Sequence, residues 1–144
     1  MAVEMDASNL NTVEIYQWQL TKKTIGERMK HLYGNVLMAD VNFLVADNAG
    51  SDQPKRKVPC HKFILAVSSP VFFTMFYGQM PETAEFIDLP DYDMEGFLEF
   101  LRYIYCDEIK LTGNCVMQVL YLAKKYMIPS PTATWCTCAL DSIS

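Results

Sequence analysis

The stretch from Val58 to Tyr77 is a nearly continuous apolar run, and it constrains the fold more than any other part of the sequence. Near its middle, Ser69 and Pro70 form a pattern that is typical of the start of a new helix. Serine is a favoured N-cap, and proline is tolerated at the first helical position because the N–H that it lacks would have no partner there. The run therefore predicts two short helices in close succession, with Gly78 placed to end the second.

Patterns on either side of this run predict an alternation of helices and short strands. Thr24 and Glu27 match the S/T-x-x-E capping box, in which each side chain satisfies a free backbone donor, so a helix is predicted to begin there. Val41, Phe43 and Val45 alternate with other residues and predict a strand. Similar patterns predict the remaining elements: a return strand over 57–60, short strands over 86–89 and 109–111, and helices over 94–105 and 116–127.

The charge and cysteine content restrict the classes of partner and compartment. A net charge of −5 disfavours nucleic acids and anionic membranes, because both select basic patches. No apolar run approaches the length of about 18 residues that a membrane span needs. The five cysteines are odd in number and irregularly spaced, and no apolar leader precedes them. We therefore expect a reducing compartment, cytoplasmic or also nuclear.

Histidine and cysteine residues, which could bind a metal or act in catalysis, are few, and their spacing does not match known sites of either kind. His31 and His61 have no cysteine or carboxylate at metal-ligand spacing. Cys136 and Cys138 supply two ligands, whereas a zinc site needs about four. Cys60 and His61 are adjacent at a strand-to-helix junction, where neighbouring side chains point apart, so they do not form a nucleophile pair. We therefore expect no metal, no cofactor and no enzymatic activity.

What remains is a set of short motifs whose order and spacing resemble the BTB/POZ domain. The motifs are Asp40-Val41-x-Phe43-x-Val45, Val58-Pro59-Cys60-His61-Lys62-Phe63-x-Leu65-Ala66, Ser69-x-x-Phe72-x-x-Met75-Phe76, Ile87-x-Leu89-Pro90-Asp91, Phe97-x-x-x-Leu101-x-Tyr103-x-Tyr105 and Leu120-x-x-Ala123-x-x-Tyr126. Finer matches, such as Trp18-Gln19 and Asp107-Glu108-Ile109, are similar to the BTB domains that BACK and PHR domains follow.

The resemblance implies both a fold and a division of the chain. The fold is α+β, with a small, mostly three-stranded sheet flanked by a cluster of about five or six helices. The match covers roughly residues 24–130, so we expect a BTB/POZ domain there, an N-terminal tail or arm over 1–23 and an irregular C-terminal tail over 131–144. An apolar arm that contains Trp18 packs either on a second chain or back on its own domain.

The resemblance also implies a protein-interaction role, because BTB/POZ domains dimerise and many bind cullin-3 as adaptors of a RING ubiquitin ligase. Members that bind cullin-3 often carry a hydrophobic-x-Glu pattern in the helix that matches 94–105, and Phe97 with Glu99 fits this pattern. Tyr105 would lie at the rim of the same surface. Phe97 also falls on the apolar stripe of its helix, so a core position is the competing interpretation.

Residues for pairing and for a charged pocket follow from the same resemblance. Homodimers or heterodimers would form through Met29, Leu32 and Tyr33 on the N-terminal helix, packed against the central helices of the second chain. Asp40 and Lys62 match positions of the family's charged pocket. A structural ion pair or a helix cap is the competing interpretation for these two residues.

In the adaptor role, substrate proteins would bind through downstream domains that are missing from this sequence. Two other roles remain open. One is a BTB dimerisation module of a scaffolding or transcriptional regulator, and the other is a truncated form that competes with longer relatives.

Overall fold

The computed structural model describes residues 16–48 and 52–129, which form a three-stranded sheet and five α-helices. A short 3-10 turn, Trp18–Thr21, precedes them. In chain order the elements are α1 (Ile25–Leu32), β1 (Val41–Ala46), β2 (Arg56–Cys60), α2 (Lys62–Ser68), α3 (Pro70–Tyr77), β3 (Phe86–Asp93), α4 (Met94–Cys106) and α5 (Val116–Lys125). The predicted α+β class is confirmed. The tail predicted over 131–144 lies outside the described residues, as does most of the arm.

The sheet has β1 in its centre, with β2 antiparallel on one side and β3 parallel on the other. Val41, Phe43 and Val45 of β1 are completely buried. Alternate residues of a strand point to the same face, and on this face Phe43 meets Phe72 of α3 and Phe97 of α4. The predicted alternation therefore identifies the face of the sheet that the helices cover.

Both edge strands contain a proline, which is tolerated there because one side of an edge strand has no ladder bonds to lose. Pro59 lies in β2 and Pro90 lies in β3. β3 continues to Asp93, beyond the strand predicted over 86–89, and its register against β1 shifts near its end. The shift leads the chain directly into α4.

Ser69 separates α2 from α3, as the sequence predicts. Its Oγ accepts a hydrogen bond from the Phe72 N–H at 3.1 Å, which caps α3, and it donates another to the Tyr126 carbonyl. Pro70 occupies the first helical position. Because Ser69 is only 1% exposed, both bonds lie in the interior and join the α2–α3 hairpin to the end of α5.

The start of α1 has the predicted pair of side-chain caps, with Glu27 bonding to the residue before the N-cap instead of to Thr24 itself. The Thr24 Oγ1 accepts from the Glu27 N–H at 3.1 Å, and the Glu27 carboxylate accepts from the Lys23 N–H at 2.7 Å. Two of the donors near the helix start are thereby satisfied by side chains. The helix start predicted at Thr24 is confirmed.

Trp18 shows where the end of the predicted arm packs. Its side chain is buried and stacks on the His31 ring of α1, with centroids 4.4 Å apart. The Thr21 Oγ1 donates to the Trp18 carbonyl at 2.8 Å, which closes the short turn. Trp18 therefore packs on its own domain, which is one of the two predicted alternatives.

The core lies between the sheet and the helices α3, α4 and α5. Its largest fully buried rings are Phe43, Phe72, Phe97 and Phe100. Tyr126 closes this cluster by stacking 4.1 Å from Phe72, and burial raises the pKa of Tyr126 to about 12. In the described part of the chain, no helix has both the length and the apolar content to cross a bilayer.

The strand predicted over 109–111 is wrong. The described chain forms no strand there. The Lys110 N–H instead donates to the Glu99 carboxylate at 3.0 Å, so a side chain takes the donor that a strand ladder would use.

Candidate functional site

Phe97, the apolar residue of the predicted cullin-3 motif, belongs to the core. It is completely buried, and its ring centroid lies 5.2 Å from that of Phe43 and 6.3 Å from that of Phe100. A side chain without accessible surface cannot contact a partner, so the predicted cullin-3 contact through Phe97 does not hold in this structure. The competing interpretation, a position on the apolar stripe of its helix, is the one observed.

Glu99 fastens the segment that follows α4. Its Oε2 accepts from the Lys110 N–H at 3.0 Å, and its Oε1 lies 3.4 Å from the Arg102 Nε. The side chain of Glu99 is 14% exposed. Most of the carboxylate is therefore committed to its own domain, and little of it is open to a partner.

Tyr105, predicted at the rim of the contact surface, is instead the centre of a buried hydrogen-bond network. Its oxygen accepts from the backbone N–H of His61 at 2.9 Å, so its proton is free to be donated to the His61 Nδ1 at 2.8 Å. The His61 Nε2–H then donates to the Leu37 carbonyl at 2.8 Å. Burial raises the pKa of Tyr105, which keeps the phenol neutral. The network joins α4, the start of α2 and the loop before β1.

His61 and Cys60 do not form a catalytic pair. Both ring nitrogens of His61 are engaged by Tyr105 and Leu37, and Cys60 is completely buried. Burial also raises the pKa of the Cys60 thiol, whereas a nucleophilic cysteine needs a lowered pKa and access to substrate. Over 16–48 and 52–129, no three His, Cys, Asp or Glu side chains are grouped to hold a metal, and Cys136-x-Cys138 lies outside those ranges.

The three residues predicted for pairing face the interior of their own domain to different degrees. Leu32 is 6% exposed and belongs to the core, so it has no surface for a second chain. Met29 and Tyr33 are partly buried against that core, and the Tyr33 hydroxyl donates to the Leu98 carbonyl at 2.8 Å. The apolar residue that α1 presents to solvent is Ile25, which is 71% exposed.

The side chain of Asp40 contacts the backbone of Lys62 and not its ammonium group. The Asp40 Oδ1 accepts from the Lys62 N–H at 2.8 Å and so caps α2, whose own N-cap residue makes no side-chain cap. The Lys62 ammonium lies 5.5 Å from the centre of the Phe76 ring. This geometry matches the competing interpretation of Asp40 as a helix cap, supplied here by a residue from outside the helix.

Four large apolar side chains of α2 and α3 point to solvent and form one surface, named here the α2–α3 face. Phe63 and Val67 project from α2, and Phe73 and Tyr77 project from α3. Each is at least 50% exposed, and with Ala66 they line a single open groove. Apolar patches of this kind mark interaction sites because water contact with them is unfavourable.

The loop over 78–85 begins directly after Tyr77, the last residue of α3. Met80 is 92% exposed in it. The base of the loop is held by backbone hydrogen bonds, from the Gly78 N–H to the Thr74 carbonyl at 3.0 Å and from the Glu82 N–H to the Met75 carbonyl at 2.7 Å. These bonds hold the loop on either side of Met80, at Gly78 and at Glu82, and leave the Met80 side chain in solvent.

The same loop contains a second hydrophobic-x-Glu pattern besides the one at Phe97, Met80-Pro81-Glu82. Outside α4, the same spacing with a large apolar residue also occurs at Ile25-Gly26-Glu27. The carboxylate of Glu27 is already used by the capping box of α1. In Met80-Pro81-Glu82 the apolar residue is exposed, and the exposed glutamate accepts from the Ala84 N–H at 2.8 Å without capping a helix.

Comparison with known proteins agrees with the fold. The family model of the BTB/POZ domain matches residues 29–142. The chain is 44% identical over 122 residues to BTB/POZ domain-containing protein 3 of Homo sapiens, covering 85% of this chain and 23% of that protein. It is 45% identical over 122 residues to BTB/POZ domain-containing protein 6-B of Danio rerio, covering 85% and 24%. The chain thus spans less than a quarter of the length of these relatives.

Proposed function

This chain belongs to the BTB/POZ family of protein-interaction domains, and we propose that it is the adaptor domain that binds cullin-3 in a RING ubiquitin ligase. The observation that supports this most is the 78–85 loop. In it, the 92% exposed Met80 and the nearby Glu82 repeat the hydrophobic-x-Glu spacing, although the family resemblance assigns the cullin-3 pattern to the helix over 94–105. The contact proposed here replaces the one predicted through Phe97.

The side chain of Met80 suits a contact of this kind. Burying apolar surface stabilises a complex by about 25 cal/mol per Å² removed from water. The unbranched thioether adapts to an irregular pocket. Pro81 disfavours helical backbone at the residue before it, so α3 does not continue through Met80. Together with the backbone bonds at its base, this restriction reduces the ordering that binding requires.

The aromatic residues of α3 extend the proposed contact. Phe73 and Tyr77 are one helical turn apart and their rings lie 6.2 Å from each other. Tyr77 immediately precedes the loop. Exposed aromatic side chains at the centre of an interface supply much of its binding energy, and polar groups around them exclude water. We assign Glu82 and Glu85, both exposed, to that polar rim.

Pairing and substrate recruitment complete the proposed role. We assign dimerisation to the α2 half of the α2–α3 face, where Phe63 and Val67 are exposed. Substrate recruitment is assigned to parts of the longer relatives that this chain does not span. A cytoplasmic or nuclear location is supported by Cys60, Cys106 and Cys115, which are free thiols.

The test is binding of the cullin-3 N-terminal region, measured by isothermal titration calorimetry. We expect Met80→Asp to weaken binding by at least about tenfold, because a charge replaces the apolar contact. Met38→Asp is the matched control: Met38 is another exposed methionine, and aspartate tolerates its positive φ of 62°. Absence of binding by the folded, unmodified chain would overturn the adaptor role. Equal losses in both variants would overturn the assignment to Met80.

A further inference from the structure

Met80 is the most exposed methionine in the described part of the chain. Its side chain is 92% exposed, compared with 70% for Met38, 62% for Met127 and 49% for Met117. Met94, at 9%, is buried in the core. A soluble oxidant therefore reaches the sulfur of Met80 with the least obstruction, and the core thioether is protected by its packing.

The chemistry open to such a sulfur is oxygen transfer from a hydroperoxide. Hydrogen peroxide gives one oxygen atom to the thioether, which becomes a sulfoxide, and the peroxide leaves as water. The sulfur loses two electrons and the peroxide gains them. A sulfoxide reductase reverses the step, since its dithiol is oxidised to a disulfide and the oxygen leaves as water. The product is a polar and chiral group in place of an apolar one.

We propose, on the basis of the cullin-3 contact proposed above, that Met80 makes this contact sensitive to oxidation. The reduced thioether is the apolar tip of the 78–85 loop, and the sulfoxide removes that apolar character. The partner would then have to bury a polar sulfoxide oxygen without a matching donor, which disfavours the complex. Reduction of the sulfoxide restores the contact.

The loop is built so that oxidation changes its surface and not its fold. The hydrogen bonds at its base join backbone groups of Gly78 to Thr74 and of Glu82 to Met75. The Ala84 N–H donates to the Glu82 carboxylate at 2.8 Å. None of these bonds uses the side chain of Met80, so its sulfoxide leaves them intact.

The experiment compares cullin-3 affinity before and after mild treatment with hydrogen peroxide. Peptide mass spectrometry follows the oxidation of each methionine. We expect Met80 to be oxidised before Met38, and oxidised protein to bind the cullin-3 N-terminal region about tenfold more weakly. In Met80→Leu the ratio of affinities before and after treatment stays near one, whatever its starting affinity. In the matched Met38→Leu variant the ratio remains about tenfold.

The outcomes separate the two proposals. If untreated protein does not bind, the adaptor role is wrong and its redox control is wrong with it. If untreated protein binds and protein with verified Met80 sulfoxide binds equally well, redox control is overturned while the adaptor role stands. Oxidation of Met38 ahead of Met80, or a peroxide-sensitive Met80→Leu variant, also overturns it. Recovery of affinity after treatment with a methionine sulfoxide reductase supports it.

Discussion

At the scale of single residues, burial decides which of two similar motifs is available to a partner. Phe97-x-Glu99 and Met80-x-Glu82 have the same spacing, but Phe97 is completely buried and Met80 is 92% exposed. The spacing of a motif is a property of the sequence. The solvent exposure of its residues depends on packing between elements that are distant in the chain.

Gly96 is a residue whose lack of a side chain is required by its neighbour. A Cβ at this position would lie 2.5 Å from the Gln118 Oε1 and 2.9 Å from the Gln118 Cβ. Gln118 cannot move freely, because it accepts from the Asp93 N–H and donates to the Asp93 carboxylate, each at 3.0 Å. We expect Gly96→Ala to lower the free energy of unfolding by about 1–3 kcal/mol, measured by urea denaturation.

Gly26→Ala is the matched control for that prediction. Gly26 is also helical, and the nearest atom to its Cβ position is 3.9 Å away. Alanine is a better helix former, so this variant should be more stable than the unmodified chain by roughly 0.5–1 kcal/mol. A Gly96→Ala variant as stable as the Gly26→Ala variant would contradict the packing of α4 against α5.

At the scale of elements, short helices depend on their caps. α2 and α3 contain 7 and 8 residues, fewer than a helix needs to be stable alone. The cap of α3 is buried: Ser69 accepts from the Phe72 N–H and donates to the Tyr126 carbonyl. The hairpin that carries the α2–α3 face is therefore held in place by polar contacts inside the core.

Ser69→Ala should destabilise the domain more than removal of an exposed cap. It leaves the Phe72 N–H and the Tyr126 carbonyl without these partners in the interior, and we expect a loss of about 2–3 kcal/mol. Thr24→Ala removes the exposed cap of α1 and should cost about 1 kcal/mol. Both are measured by urea denaturation. Equal losses would show that the buried bond to Tyr126 adds nothing.

At the scale of the whole molecule, we predict that the apolar surface left outside the core pairs with a second chain. Val67 and Phe63, in the α2 half of the α2–α3 face, are 71% and 67% exposed. We expect light scattering to show a dimer at micromolar concentration. A charge at this position opposes association because it must be desolvated, so Val67→Glu should be monomeric.

The control for Val67→Glu is Met117→Glu on the exposed side of α5, which should remain dimeric and folded by circular dichroism. If Val67→Glu forms dimers as stable as those of the unmodified chain, the pairing surface does not include Val67. A monomeric unmodified chain would contradict dimerisation itself.

The sequence alone determined the elements whose signals are local. The capping box at Thr24, the restart at Ser69-Pro70 and the alternation of β1 each depend on residues a few positions apart, and the structure confirms them. The family resemblance is likewise confirmed by the matching family model. Local backbone hydrogen bonding and side-chain periodicity suffice for such features.

Only the tertiary structure decided which side chains face solvent and which hydrogen-bond partners the polar groups have. Lys110 was predicted in a strand, but its N–H bonds to Glu99 from another element. Tyr105 is predicted at the rim of a surface and Phe97 either at that surface or in the core, and packing of α4 against the sheet and α2 buries both. Met80 lies outside every periodic pattern, so its exposure follows from the end of α3 and the fixed base of its loop. Burial is a property of contacts between distant segments, which residue spacing along one segment does not specify.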